Sequence, residues 1–428
     1  MKEEVLKKIE LLSPAGNLEK LKIAIDYGAD AVYGGVSHFS LRIRSSKEFD
    51  FDSFKEGIEY AHKKGKKVYC TINGFPFNSQ IKLYEKHIKK MAALKPDAFI
   101  VSTPGVIKLC KDIAPEIDIH LSTQANVMNY LDAKVYYELG VKRIIVAREI
   151  SLKDAKEIKK KIPELELEVF VHGSMCFAYS GRCLISTLQS GRVPNRGSCA
   201  NDCRFPYVLY AKNPETNTLF KIEEVEGEGT YIMNAKDLNL ASYVDKIIES
   251  KAIDSIKIEG RTKSPYYTAI TTKVYRMAID DYYANRFNPK IYQEELNTTK
   301  HRGFSDAYLF QRPYEKNNTQ KLDSSISQGT HQVAAQICED GKYFLTKDKI
   351  CQQDELEIVL SDEDLKPCEN ELGKIYKKDD RWFIKIYKIV TESNKELECI
   401  HSGNQNRVKL PCKLPKFSFL RRKIKKES

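Results

Sequence analysis

Glu10-Leu-Leu-Ser-Pro-Ala-Gly-Asn-Leu-Glu-Lys-Leu-Lys-Ile-Ala-Ile-Asp-Tyr-Gly-Ala-Asp-Ala-Val-Tyr33 is the stretch that decides the fold. The short apolar run Ile9–Leu12 reads as a buried strand. Asn17–Tyr27 carries apolar residues three and four apart, as an amphipathic helix does, and Gly28 sits where a left-handed residue closes a helix. Ala31–Tyr33 is a second apolar run. A strand, a helix and a strand in so short a span make the βαβ unit of a parallel sheet.

Outward from this unit the alternation repeats. Candidate strands are Lys67–Ile72, Ala98–Val101, Asp118–Ser122, Arg143–Val146, Leu167–Val171 and Ser255–Ile258, with helix-like segments such as Phe51–Lys64 and Ser79–Leu94 between them. Gly65 and Gly140 repeat the closing position of Gly28. Most strands are β-branched and apolar on both faces, as buried parallel strands are. Eight strands with helical crossovers predict an α/β fold, a (β/α)8 TIM-like barrel, with a doubly wound open sheet as the rival.

The interval between the seventh and eighth strands is too long for a crossover and predicts a functional insertion. It holds four cysteines and then a candidate hairpin, Tyr207–Tyr210 with Leu219–Ile222, and a turn at Glu226–Gly229. The expected organisation is a barrel over residues 1–315 with a cysteine-bearing insertion at about 173–230 and a polar linker at 316–328. A small β-barrel-like domain at 329–415 and a basic tail at 416–428 complete it.

Of 428 residues, 42% are hydrophobic, enough for a large core and against global disorder. Lys+Arg outnumber Asp+Glu by 70 to 59, a net charge of +11 that suits RNA or DNA as partner, although a Lys-rich composition alone produces the same excess. No apolar run is long enough to span a membrane, and Met1–Leu12 lacks the apolar core of a signal peptide. The expectation is a cytoplasmic protein whose eleven cysteines are thiols or metal ligands rather than disulfides.

Cys176, Cys183, Cys199 and Cys203 are separated by six, fifteen and three residues, outside predicted elements and among Gly181, Gly191, Pro194 and Gly197. Such a set can converge on one centre. Structural zinc sites come as paired knuckles, and only Cys199–Cys203 has that form, so the spacing favours an iron–sulfur cluster with zinc as the alternative. The other cysteines, including Cys351 and Cys399, read as core or incidental.

In a (β/α)8 barrel the chemistry sits at the C-terminal strand ends. Reading those ends gives Asn73, Gln124, Asn126, Arg148, Glu259 and Arg261, with Arg42 and Arg44 following the second strand. Paired arginine forks suit a dianionic small molecule, although each is as often a surface ion-pair partner. His172, Glu259 and Arg148 are the candidate catalytic groups. Arg42, Arg44, Asn73, Gln124, Asn126, Arg148 and Arg261 are the candidate substrate-binding set.

The run Glu168, Phe170, Gly173, Ser174, Met175, Cys176, Gly181, Cys183, Ile185 and Ser186 matches without departure the signature of the collagenase-like (PrtC-type) peptidase family, which the sequence resembles. Glu10–Gly16, Gly28–Tyr33, Gly191–Cys199, Cys203–Tyr207, Lys257–Arg261 and His301–Phe304 extend the resemblance over nearly the whole chain. Within that family the layout is most similar to the branch that hydroxylates uridine in tRNA at C5 without molecular oxygen. The resemblance implies a 4Fe–4S cluster held by Cys176, Cys183, Cys199 and Cys203, tRNA as partner, and a dicarboxylate metabolite, prephenate, as oxygen donor. It leaves proteolysis, which the family's name promises, as the alternative. No His-Glu-x-x-His helix or Gly-x-Ser-x-Gly elbow supports that reading.

Overall fold

A computed structural model describes residues 8–36, 49–222, 233–310, 319–321, 326–361 and 364–424. Two compact units emerge. One comprises Met1–Lys263, Thr271–Gln293 and His301–Ser327; the other comprises Ser264–Ile270, Glu294–Lys300 and Gln328–Ser428.

In the first unit, β1 (Glu10–Pro14), β2 (Ala31–Gly34), β3 (Lys67–Ile72), β4 (Ala98–Val101), β5 (Asp118–Leu121), β6 (Arg143–Ile145) and β7 (Glu166–Ser174) pair in parallel order. After a hairpin of β8 (Leu209–Lys212) and β9 (Leu219–Ile222) and a short β10 (Asp237–Asn239), β11 (Ser255–Ile258) closes the circle. It pairs in parallel with both β7 and β1. The closed eight-stranded parallel barrel is therefore present, and the open-sheet rival is excluded. β10 is an addition that the sequence did not reveal. It runs antiparallel to the end of β7, and β12 (Phe304–Ser305) pairs with it.

Helices α1 (Leu18–Asp26), α2 (Phe51–Lys63), α3 (Ile81–Ala92), α4 (Pro104–Ile113), α5 (Tyr130–Glu138) and α6 (Leu152–Lys161) fill the crossovers. Their starts follow local chemistry. The Asn17 side chain accepts the Lys20 N–H, Asp50 and Ser53 form a capping box, and so do Ser151 and Asp154. Gly28, with φ of 101°, follows α1 and presses against Arg276, so a side chain there would meet both strain and a clash.

The barrel's interior is charged at its lower end. Arg143, 4% exposed, reaches Glu10, Glu166 and Glu168. Lys257 Nζ donates to Glu168 Oε1 at 2.8 Å, and Tyr69 Oη donates to Glu10. Burial opposes the Arg143 charge, but Glu10 and Glu168 outweigh it and hold the guanidinium well above its ordinary pKa.

The second unit is an antiparallel sheet. Its order is Cys368–Asn370, Gly373–Lys378, Arg381–Ile386, Glu355–Val359, Phe419–Lys423, His331–Ile337, Tyr343–Thr346 and Val408–Lys409. Ile337, Phe344, Leu356, Ile358, Ile384 and Leu420 fill its core. Two expectations need correction here. Phe419–Lys423, read as part of a basic tail, is a central strand paired with His331–Ile337 and Glu355–Val359. Its Arg421 is buried and bonded by Glu295 and Glu357, so its charge is neutralised inside rather than solvated. Cys351 and Cys399, read as reduced, form a disulfide across two short paired strands. Their separation of 48 residues hid the pairing.

Candidate functional site

A cavity of about 380 Å³ opens at the C-terminal ends of the barrel strands. Every barrel strand except β1, or the position just past it, contributes. Tyr33 comes from β2, Thr71 and Asn73 from β3 and the position just past it, Ser122 and Gln124 from the end of β5, and Arg148 from beyond β6. Phe170 on β7, Lys257 on β11 and Glu259 and Arg261 just past β11 complete the barrel side. The opposite wall is the insertion after β7, through Cys176, Tyr179, Ser180, Gly181, Cys183, Asn195 and Cys199.

The insertion is pinned to the strand ends by specific bonds. Glu149 accepts from the Ser180 N–H (2.9 Å) and from Ser180 Oγ (3.0 Å), and Asn195 Nδ2 donates to the Gly181 carbonyl (2.8 Å). Gly181, at φ of 74°, lies so close to Gln124 that a Cβ would stand 2.2 Å from its carbonyl oxygen. Only glycine lets the two backbones meet there.

The charged groups divide the lining. Arg148 Nη2 lies 3.5 Å from Glu259 Oε2 and its guanidinium stacks over the Phe170 ring at 4.1 Å. Arg261 Nη1 donates to Thr71 Oγ1 at 3.1 Å. Lys257 forms part of the floor, its ammonium 4.2 Å from the centre of the Tyr33 ring. Burial pulls its pKa down, against the restraining pull of Glu168.

Of the sequence-predicted residues, Asn73, Gln124, Arg148, Glu259 and Arg261 come together on this cavity, with Cys176, Cys183 and Cys199 facing them. Cys203 is held beside them, close enough to feel the charges of Cys176 and Cys199. Cys183 feels the same two. None of the four is in a disulfide. Asn126, in a left-handed turn, lies outside the lining. His172 also lies outside it. The imidazole is fully enclosed, 3.5 Å from Tyr275 Oη and flanked by Phe304, and burial pushes its pKa down to about 3. Arg42 and Arg44 fall outside the described residues. Sequence reading missed Tyr33, Thr71, Phe170 and Lys257, because they lie inside strands. Period-two alternation toward the barrel axis is the signal that marks them.

The thiols can be tested against the two candidate metals. Tetrahedral zinc with bonds of about 2.3 Å draws its sulfurs to within about 4 Å of one another. Among the described residues no group of three or more Cys, His, Asp or Glu side chains closes to single-ion spacing. Four free thiols that sense one another's charge are the soft donors that a zinc ion or an iron–sulfur cluster would take.

The profile of peptidase family U32 matches residues 16–319. The chain belongs to this family. It is 60% identical over 421 residues to "tRNA hydroxylation protein P" of Helicobacter pylori (strain ATCC 700392 / 26695), covering 98% of this chain and 100% of that protein. It is 39% identical to the protein of the same name from Escherichia coli (strain K12), over 75% of this chain and 78% of that one. It is also 30% identical to a protein named "Collagenase" from Porphyromonas gingivalis, over 70% and 73%. The family thus joins relatives named for RNA hydroxylation and relatives named for proteolysis, and the cavity has to decide between them. Among the described residues no helix is long and apolar enough to cross a membrane.

Proposed function

We propose that this U32-family protein hydroxylates C5 of the wobble uridine of tRNA without molecular oxygen. In this reading Cys176, Cys183, Cys199 and Cys203 hold an iron–sulfur cluster, and a prephenate-type dicarboxylate supplies the oxygen. One observation carries the reading. A single open cavity has a cysteine-bearing loop on one wall and two arginines, two amides and two aromatic rings on the others. When bound, the cluster supplies one-electron redox chemistry.

The remaining roles belong to the chain itself. Arg261 and Arg148 are placed to receive carboxylates by their forks. Tyr33 and Phe170 offer faces to a planar ring. Glu259 restrains Arg148 through their contact and keeps its charge directed at the cavity. A base reaches such a pocket only when splayed out of the anticodon loop, as enzymes acting on bases require. The same insertion exposes Phe177, Tyr179, Leu184, Leu188 and Phe205, apolar surface on which flanking unpaired bases can stack.

Proteolysis finds no support in the lining. A serine or water nucleophile needs a general base; among the described residues no histidine faces the cavity, and the carboxylate that lines it, Glu259, is engaged by Arg148.

Nucleoside analysis of tRNA from a deletion strain with no second such enzyme tests the substrate. The expected outcome is loss of 5-hydroxyuridine-derived nucleosides, and unchanged levels overturn the proposal. Anaerobically purified protein should be brown and contain iron and sulfide; colourless protein carrying zinc refutes the cluster.

A further inference from the structure

Glu149 follows Arg148 past the end of β6, and both of its carboxylate oxygens are engaged by one residue of the cysteine-bearing insertion. Oε1 accepts the Ser180 N–H at 2.9 Å, and Oε2 accepts Ser180 Oγ at 3.0 Å. Ser180 is buried, and its hydroxyl oxygen accepts the Arg148 N–H at 3.3 Å. Each direction is forced. An ionised carboxylate only accepts and a backbone N–H only donates, so the Ser180 hydroxyl has one role toward each neighbour.

The place of this clamp in the chain gives it meaning. Ser180 lies four residues after Cys176 and three before Cys183. Gly181, the next residue, presses on the Gln124 peptide, and its carbonyl accepts from Asn195 Nδ2 at 2.8 Å. The interval between the first two thiols is therefore fixed at its middle to the segments that follow β5 and β6. Before that point the loop is open, with Cys176, Phe177 and Tyr179 exposed. A loop held in its bound form beforehand avoids the ordering cost that binding otherwise carries. Groups that orient metal ligands without touching the metal act in this way.

We infer that Glu149 is a positioning residue for the metal centre: by clamping Ser180 it keeps Cys176 and Cys183 in place to receive metal above the strand ends. The inference rests on the four-cysteine centre of the reading above. Glu149 acts through Ser180 and the loop rather than on the metal. Because Arg148 and Glu149 are consecutive, one dipeptide serves both walls of the cavity. The Arg148 guanidinium stacks on Phe170 on the barrel side, and the Glu149 carboxylate sets the thiol-bearing side.

The test uses the full-length protein, purified without oxygen, as wild type, Glu149→Ala, Glu149→Gln and Asp154→Ala. Two quantities are read: iron and sulfide per chain as isolated, and zinc affinity of the metal-free chain by competition with a chromophoric chelator. Loss of a group that orients metal ligands costs about 10- to 100-fold in metal affinity, so Glu149→Ala should bind zinc that much more weakly and carry less iron than the wild type. Glu149→Gln retains one acceptor oxygen and should recover part of the loss. Asp154→Ala breaks the capping box of α6 and should lower the melting temperature while leaving both quantities unchanged.

A Glu149→Ala protein with wild-type iron content and zinc affinity overturns the inference. An equal loss of zinc affinity in Asp154→Ala overturns it too, because the effect is then one of general weakening. If Glu149→Ala does not fold, Glu149→Gln decides: weaker zinc binding than the wild type upholds the role and equal binding removes it. If the wild type is colourless and carries zinc, the iron–sulfur reading fails, and zinc affinity alone decides Glu149. A wild type that takes up neither iron nor zinc removes both.

Discussion

Arg143 and Arg148 lie at opposite ends of the same short barrel strand and behave differently. Arg143, at the start of β6, is locked by Glu10, Glu166 and Glu168, with Lys257 sharing Glu168 from the other side. Arg148, beyond the end of β6, meets Glu259 at 3.5 Å and otherwise lies over a Phe170 ring beside the open cavity. The first arrangement is closed on itself. Removing one member of such a buried set leaves the others as uncompensated charges, which is costly. The second leaves a guanidinium beside a space that a ligand can fill. Identical side chains are therefore tied into a closed network below and left beside an open cavity above, on the face where this fold carries its active sites.

The largest effect should come from breaking the closed network. Glu168→Ala leaves Arg143 and Lys257 facing each other without their shared carboxylate and should cost about 3–5 kcal/mol in stability, measured by urea unfolding. A loss below 1 kcal/mol would remove the contrast between the two ends. Arg148→Ala should do the reverse. Uridine hydroxylation should fall about 100-fold, the size of effect seen when one electrostatic group is removed from a site, while the urea midpoint moves little. A stability loss matching that of Glu168→Ala would show that Arg148 is structural too.

His172 sharpens the comparison through pH. Its folded pKa is depressed to about 3 by burial, below the ordinary value of about 6.5, so the unfolded chain binds the proton more readily. Its contribution to stability is present above about pH 6.5 and is lost as pH falls toward 3, by about 1.4 kcal/mol per pH unit at most. His172→Gln should flatten the pH dependence of unfolding between pH 6.5 and 4.5 while retaining more than half of the activity at pH 7.5. Loss of activity at neutral pH with unchanged stability would place His172 in the chemistry instead. The smallest effect should come from an exposed pair. Asp112→Asn, which breaks the contact with Lys108 on α4, should change unfolding by less than about 0.5 kcal/mol.

Much of the barrel was legible because local patterns dictate it. Apolar runs such as Ala98–Val101 are buried on both faces, and caps such as Asn17 and Asp50 start their helices where the sequence says they should. The strand-end reading found Asn73, Gln124, Arg148, Glu259 and Arg261, since polar residues after apolar strands stand out. Lys257 did not stand out. It lies within a strand, and its charge is tolerable only because Glu168, 89 residues earlier in the chain, meets it. His172 neighbours the cysteine run in sequence, but its side chain lies outside the cavity lining and beside Tyr275.

By itself the sequence determined the alternation of strand and helix, the insertion and the grouping of Cys176, Cys183, Cys199 and Cys203, because these depend on residue type and short spacing. Only the tertiary structure decided that Arg421 is a core residue and that Cys351 meets Cys399. Each of these depends on partners far along the chain, and whether a polar group is satisfied is a property of its final neighbours rather than of its own chemistry.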